Sequence, residues 1–213
     1  MNLLTEKAFE LSQSGVFTYS DVLVWLGENR NSVRNLVKRA IGNGEIVHIR
    51  RGLYCLGAKF RRWPIDRRAL AGLVYGPSYI SMETALSIHG WIPEAVHAII
   101  SVSEGRAKSF DTPMGFFDYV QVGQRLLYAG VERRECETPG LSFLVARPLK
   151  ALADCVASRG LDWRGVEPLA ESLRIEEESL EALASSDFAE LDGAYKSRKA
   201  RVFLDGLRKE LGL

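Results

Sequence analysis

Apolar positions in the first third of the chain recur at helical spacing and then switch to alternation. Val33, Leu36, Val37, Ala40 and Ile41 fall at i, i+3, i+4, i+7 and i+8, one stripe at the period of an α-helix. With successive residues about 100° apart, Asn31, Arg34, Asn35, Lys38 and Arg39 project to the other side. Asn29 or Asn31 is placed to cap the start, and Gly42 or Gly44 to end it. Glu45–Ile49 then alternates like a strand, Arg50-Arg51-Gly52 makes a turn, and Leu53–Leu56 returns. Upstream, Val22–Leu26 is an apolar run that Thr18 can cap, with Asp21 three residues on and Gly27 as the stop. Another helix is expected near Leu3–Gln13. Helix, turn, helix, hairpin is the winged helix-turn-helix order, so residues 1–58 predict such a domain.

Residues 59–64 read as a linker and 59–213 as a second domain. Helical patterns are expected over Ile65–Tyr75 and Met82–His89, with Ser78 or Ser81 as cap of the second. Ala98–Val102, Phe116–Val122 and Leu141–Val145 are strand-like, with turns at Asp111–Gly115 and Thr138–Gly140. From Pro148 the pattern is helical: 148–158, 165–173, 179–185, 188–195 and 197–211. The expected class is α+β, a winged helix-turn-helix followed by a small mixed-sheet domain with a helical C-terminal part.

Charge sharpens this division. The 213 residues carry a formal net charge of +1. Residues 1–68 hold 12 Lys and Arg against 6 Asp and Glu, a net of +6, while 69–213 hold 16 against 21, a net of −5. The basic excess therefore lies on the segment with the helix-turn-helix pattern, as a phosphate-binding surface requires. Arg30, Asn31, Arg34, Asn35, Lys38, Arg39, Arg50 and Arg51 are the candidate DNA contacts. Arg34 can pair with guanine and Asn35 with adenine in the major groove, while Arg50 and Arg51 can reach phosphates or the neighbouring minor groove. A basic helix face is also what a plain solvated surface looks like, and the arginine-rich turn that follows favours DNA.

Catalytic constellations are not evident. The chain has no Gly-x-Ser-x-Gly, no phosphate-binding glycine loop and no His-Glu-x-x-His. His48, His89 and His97 are scattered, and a cationic His89 would suit a helix end. Glu83, Asp111 and Asp154 could serve a nuclease, though their spacing does not demand it. Cys55, Cys136 and Cys155 are odd in number and widely spaced, which favours free thiols over a disulfide framework or a zinc site. The expectation is a non-enzyme without cofactor or metal. The start Met1-Asn2-Leu3-Leu4 lacks a signal-peptide pattern and no apolar run approaches a membrane span, so a cytoplasmic location with no membrane partner is expected.

Three stretches resemble the AbiEi family of antitoxins, the regulator partners in type IV abortive-infection toxin–antitoxin systems. They are the turn Arg50-Arg51-Gly52-Leu53-Tyr54, the segment Tyr79-Ile80-Ser81-Met82-Glu83-Thr84-Ala85-Leu86-Ser87-Ile88-His89-Gly90-Trp91-Ile92-Pro93-Glu94, and Ala146-Arg147-Pro148-Leu149-Lys150-Ala151-Leu152-Ala153-Asp154. The resemblance spans nearly the whole chain. It implies an autorepressor that binds double-stranded promoter repeats, and a second domain that counteracts a nucleotidyltransferase-like toxin, with direct contact left open. It also singles out Ser81, Glu83, His89, Lys150 and Asp154, for which helix capping and a Lys–Asp pair at helical spacing are equally good structural readings. Two other functions stay open: a nuclease with a DNA-reading head, and a transcription factor that responds to a small ligand.

Overall fold

The computed structural model describes residues 1–27, 30–93 and 97–213, and shows a mixed α+β protein with two sheets. The N-terminal unit runs α1 (Leu3–Leu11), β1 (Val16–Thr18), α2 (Tyr19–Leu26), α3 (Arg30–Gly42), β2 (Ile46–Arg50) and β3 (Leu53–Leu56). Its sheet has the order β1-β3-β2, antiparallel throughout. Local chemistry explains the boundaries. Thr18 and Asp21 form a reciprocal capping box that satisfies two backbone donors at the start of α2. Gly27 ends α2 with φ 58, a left-handed conformation that costs a side-chain-bearing residue more than glycine. Leu4, Ala8, Phe17, Val22, Val33, Val37, Ala40, Ile46, Tyr54 and Leu56 form its core.

The second sheet has six strands in the order β6-β7-β5-β4-β9-β8. They are β4 (Ser78–Ile80), β5 (Ile99–Ser103), β6 (Lys108–Thr112), β7 (Gly115–Gln121), β8 (Val131–Glu135) and β9 (Ser142–Ala146). The central pairs β4–β9 and β5–β7 are parallel, and the edge strands are antiparallel to their neighbours. Ile80, Ser101 and Tyr119 are in register across β4, β5 and β7, so they share one face. The Tyr119 hydroxyl donates to the Ala71 carbonyl at 2.6 Å, which places α4 (Arg67–Val74) on that face. Tyr79 points the other way and reaches Asp154 of α6 (Pro148–Arg159), so α4 and α6 cover opposite faces. α5 (Met82–Ile88) packs beside α6. The chain continues through α7 (Val166–Leu173), α8 (Glu177–Glu181), α9 (Ser185–Glu190) and α10 (Arg198–Glu210), with α10 against α6.

Several expectations need correction. β8, Val-Glu-Arg-Arg-Glu, has no apolar alternation to announce it, because it is an edge strand with much of its surface in solvent. β6 begins three residues before the turn that the Asp-Thr-Pro pattern marks, for the same reason. Helix α4 starts at Arg67 because the Asp66 carboxylate accepts from the Arg68 amide and caps it. Asn31 lies inside α3 and is not its cap, while Asn29 lies outside the described residues. Among the last helices, α8 and α9 start two and three residues earlier than the apolar spacing suggests and end four and five residues earlier.

Candidate functional site

Two places hold the residues that the sequence singled out. The first is the outer face of α3. Val33, Val37 and Ala40 are buried and Leu36 is half-buried, which fixes the helix rotation. Arg34, Asn35, Lys38 and Arg39 are consequently all exposed, at i, i+1, i+4 and i+5 on one side. Ile41, expected on the buried stripe, is 39% exposed in the last turn of α3. The Asn2 side chain donates to the Leu36 carbonyl at 3.1 Å and ties α3 to the start of α1. Asn31 is exposed and engaged in an interaction, and the Arg30 side chain lies outside the described residues.

The two arginines of the hairpin turn differ. Arg51 is exposed, beside Gly52 at φ 78. Arg50 is half-buried, its guanidinium 5.2 Å from the centroid of the Phe110 ring on β6. Ile49, Leu53 and Cys55 join the core of the larger unit. The β2–β3 hairpin is therefore held between the two cores, and only part of its tip faces solvent. His48 packs its ring against Tyr54, with centroids 5.2 Å apart.

The second place is a largely buried polar cluster around Asp154. Its Oδ1 accepts from Tyr195 at 2.7 Å and from Gln124 Nε2 at 3.2 Å, and its Oδ2 accepts from Ser81 at 2.6 Å and Tyr79 at 2.9 Å. Lys150 Nζ is 3.8 Å from Oδ1, donates to Gln124 Oε1 at 2.8 Å, and lies 5.0 and 4.9 Å from the ring centroids of Tyr79 and Tyr195. The Lys150 and Asp154 side chains are fully buried. Burial pushes the Asp154 carboxyl up and the Lys150 ammonium down, and each charge opposes the effect on the other. Four donors converge on a group that accepts through both oxygens, which fits a carboxylate facing an ammonium. Burial also raises the hydroxyls of Tyr79 and Tyr195, which stay protonated as donors.

The sequence spacing reads Lys150 and Asp154 as a pair on one helix surface, yet both lie in the core. Ser81 occupies the N-cap position of α5 without capping it, because its hydroxyl goes to Asp154 instead. Met82, directly after it, holds a left-handed φ of 54, a conformation that costs on the order of 1–3 kcal/mol outside glycine. The cluster braces β4, the start of α5, α6, the segment before β8 and the segment before α10. Lys150, Asp154 and Ser81 are fully buried, Tyr79 and Tyr195 nearly so, and Gln124 is half-buried at the edge of the cluster.

Glu83 and His89 stand apart from it. Glu83 pairs with Arg159 at the end of α6. His89 is expected as a cation at a helix end, and its surroundings make it neutral. The Arg134 guanidinium can only donate, so Nδ1 accepts at 3.0 Å, and Nε2 carries the proton toward the Ala146 carbonyl at 2.9 Å. Burial, then the neighbouring Arg134 and Arg147, hold its pKa below the ordinary value against the pull of the Ala146 carbonyl. Asp111 sits on the edge strand β6, three strands from the β4 that meets Asp154. Among the described residues, no group of three or more His, Cys, Asp and Glu is arranged to hold a metal ion. No helix of the described residues is long and apolar enough to cross a membrane.

No protein-family model matches the chain, and no curated protein matches it. The site therefore rests on its own geometry. Tyr79, from a stretch that carries the family resemblance, and Gln124 and Tyr195, which lie outside all three stretches, complete the cluster; Tyr195 and Tyr79 stand 41 and 75 residues from Asp154. Phe110 is the residue that the sequence least suggests, a ring that meets an arginine from the other unit.

Proposed function

We propose that the protein is a DNA-binding transcriptional regulator whose N-terminal unit acts as a winged helix-turn-helix. The observation that carries this reading is the α3 face: Arg34, Asn35, Lys38 and Arg39, all exposed and backed by a buried apolar stripe. An amphipathic helix with such a face fits a major groove, where Arg and Asn can read base edges and Lys can meet phosphate. The net +6 of residues 1–68 supports it, since phosphate contacts dominate affinity for duplex DNA. Its partner is double-stranded DNA at promoter repeats. The AbiEi resemblance extends the proposal to autorepression and to counteracting a nucleotidyltransferase-like toxin.

The test is fluorescence anisotropy of a labelled duplex from upstream of the protein's own gene, with unlabelled random duplex as competitor. Binding that survives a large excess of competitor is expected. Equal displacement by the random duplex would leave only a non-specific polyanion binder. The antitoxin part is tested by co-expression with the product of the neighbouring gene: rescue of growth is expected, and undiminished toxicity contradicts it.

A further inference from the structure

The β2–β3 turn is short. Arg50 pairs with Leu53, so only Arg51 and Gly52 lie between the strands, and the tip does not project beyond the Thr18–Leu53 pair of β1 and β3. A turn of this length gives DNA one freely exposed arginine, Arg51. Beside it stands the edge strand β6 of the other unit.

The alternation of β6 turns Lys108 and Phe110 to the face that Tyr119 and α4 occupy. Phe110 packs against Tyr75 and Tyr119, with centroids 5.8 Å apart in each case. Lys108 Nζ lies 5.2 Å from the centroid of the Phe110 ring, the same distance as the Arg50 guanidinium, and 5.9 Å from that of Tyr75. Two cations thus share one aromatic ring. Arg106 is exposed two residues before Lys108. Among the described residues, no ion pair joins Arg50, Arg51, Arg106 or Lys108 to a carboxylate. A cleft of about 370 Å³ lined by Thr18, Arg50, Arg51 and Tyr75 runs alongside. Like charges that are not paired with a carboxylate, two of them held over one aromatic ring, complement a polyanion.

We propose that the start of β6 and the segment before it, through Lys108 and Arg106, complete the truncated wing and contact the phosphate backbone of the duplex that α3 engages. This rests on the DNA-binding reading and adds a contact from the unit that carries the net negative charge. Phe110 is a positioning residue that holds Arg50 and Lys108 side by side. It also makes DNA affinity depend on how the two units are docked.

The experiment titrates labelled duplex with the full-length wild type, Lys108→Ala, Arg106→Ala and Lys38→Ala at several salt concentrations, with a thermal melt of each variant. Lys108→Ala and Arg106→Ala are expected to melt as the wild type does, to bind several-fold more weakly at low salt, and to flatten the log–log salt dependence by roughly 0.9 per lost phosphate contact. Lys108→Arg should restore both. If Lys38→Ala weakens binding while Lys108→Ala and Arg106→Ala leave affinity and slope unchanged, the composite wing is wrong and the α3 reading stands. If the wild type itself does not bind the duplex, the DNA-binding reading fails and the composite wing with it.

Discussion

The Tyr195 hydroxyl donates to Asp154 Oδ1 at 2.7 Å, joining the segment before α10 to the middle of α6. The contact crosses 41 residues of sequence and is reinforced by a backbone bridge between Tyr195 and Gln124. A buried ion pair such as Lys150–Asp154 adds little net stability, because desolvation offsets attraction, but removing one partner strands the other. Asp154→Ala should therefore cost about 3–5 kcal/mol in denaturant unfolding. Lys150→Met combined with Asp154→Leu should lose less than the two single losses added together. Strict additivity would mean that the two charges do not sense each other.

The Thr18–Asp21 capping box predicts a smaller effect. Thr18→Ala removes the side-chain acceptor for the Asp21 amide and should cost about 1 kcal/mol. The same variant should reduce DNA affinity only as far as it unsettles α2. A loss below roughly 0.3 kcal/mol by chemical denaturation would show that the box is redundant.

His89 supplies an acid-side test. Its folded pKa lies below the ordinary 6.5, so the folded state takes up its proton less readily than the unfolded one. That contribution to stability is complete above pH 6.5 and is lost as the pH falls through the depressed folded value. His89→Gln should flatten the decline of stability below pH 6.5. NMR titration of the ring should place its midpoint under 6.5; a midpoint above it would contradict the neutral ring held by Arg134 and Ala146.

Cys55 supplies the alkaline counterpart. Burial pushes its thiol up to about 11 from 9.0, against a weaker pull from Arg61. The unfolded thiol ionises first, so stability present below pH 9 is lost as the pH rises toward 11. Two pKa units correspond to an upper bound of roughly 2–3 kcal/mol. The stability difference between the wild type and Cys55→Ala should shrink from pH 8 to pH 10.5. A constant difference would mean that the thiol ionises equally in both states.

What the sequence revealed and what it hid follow from the range of the interactions. The α3 stripe, the Thr18–Asp21 box, the Gly27 stop and the Arg51-Gly52 turn depend on neighbours a few residues apart, and each is legible in the letters. β8 escaped because an edge strand need not alternate, and its Glu and Arg residues pair with each other on the surface. Ser81, Lys150 and Asp154 were singled out, but only the packing of α6 on β4 shows that they meet, and that Glu83 and His89 do not. Arg50 looked like a free wing arginine because nothing near it in sequence announces Phe110, 60 positions on.

The α3 face carries the account, and the most direct test is the salt dependence of duplex binding by the triple variant Arg34→Ala, Lys38→Ala, Arg39→Ala beside the wild type. A large loss of affinity and a log–log slope flatter by roughly 0.9 for each phosphate contact removed are expected, with an unchanged thermal melt. Wild-type affinity and slope in the triple variant would contradict this expectation.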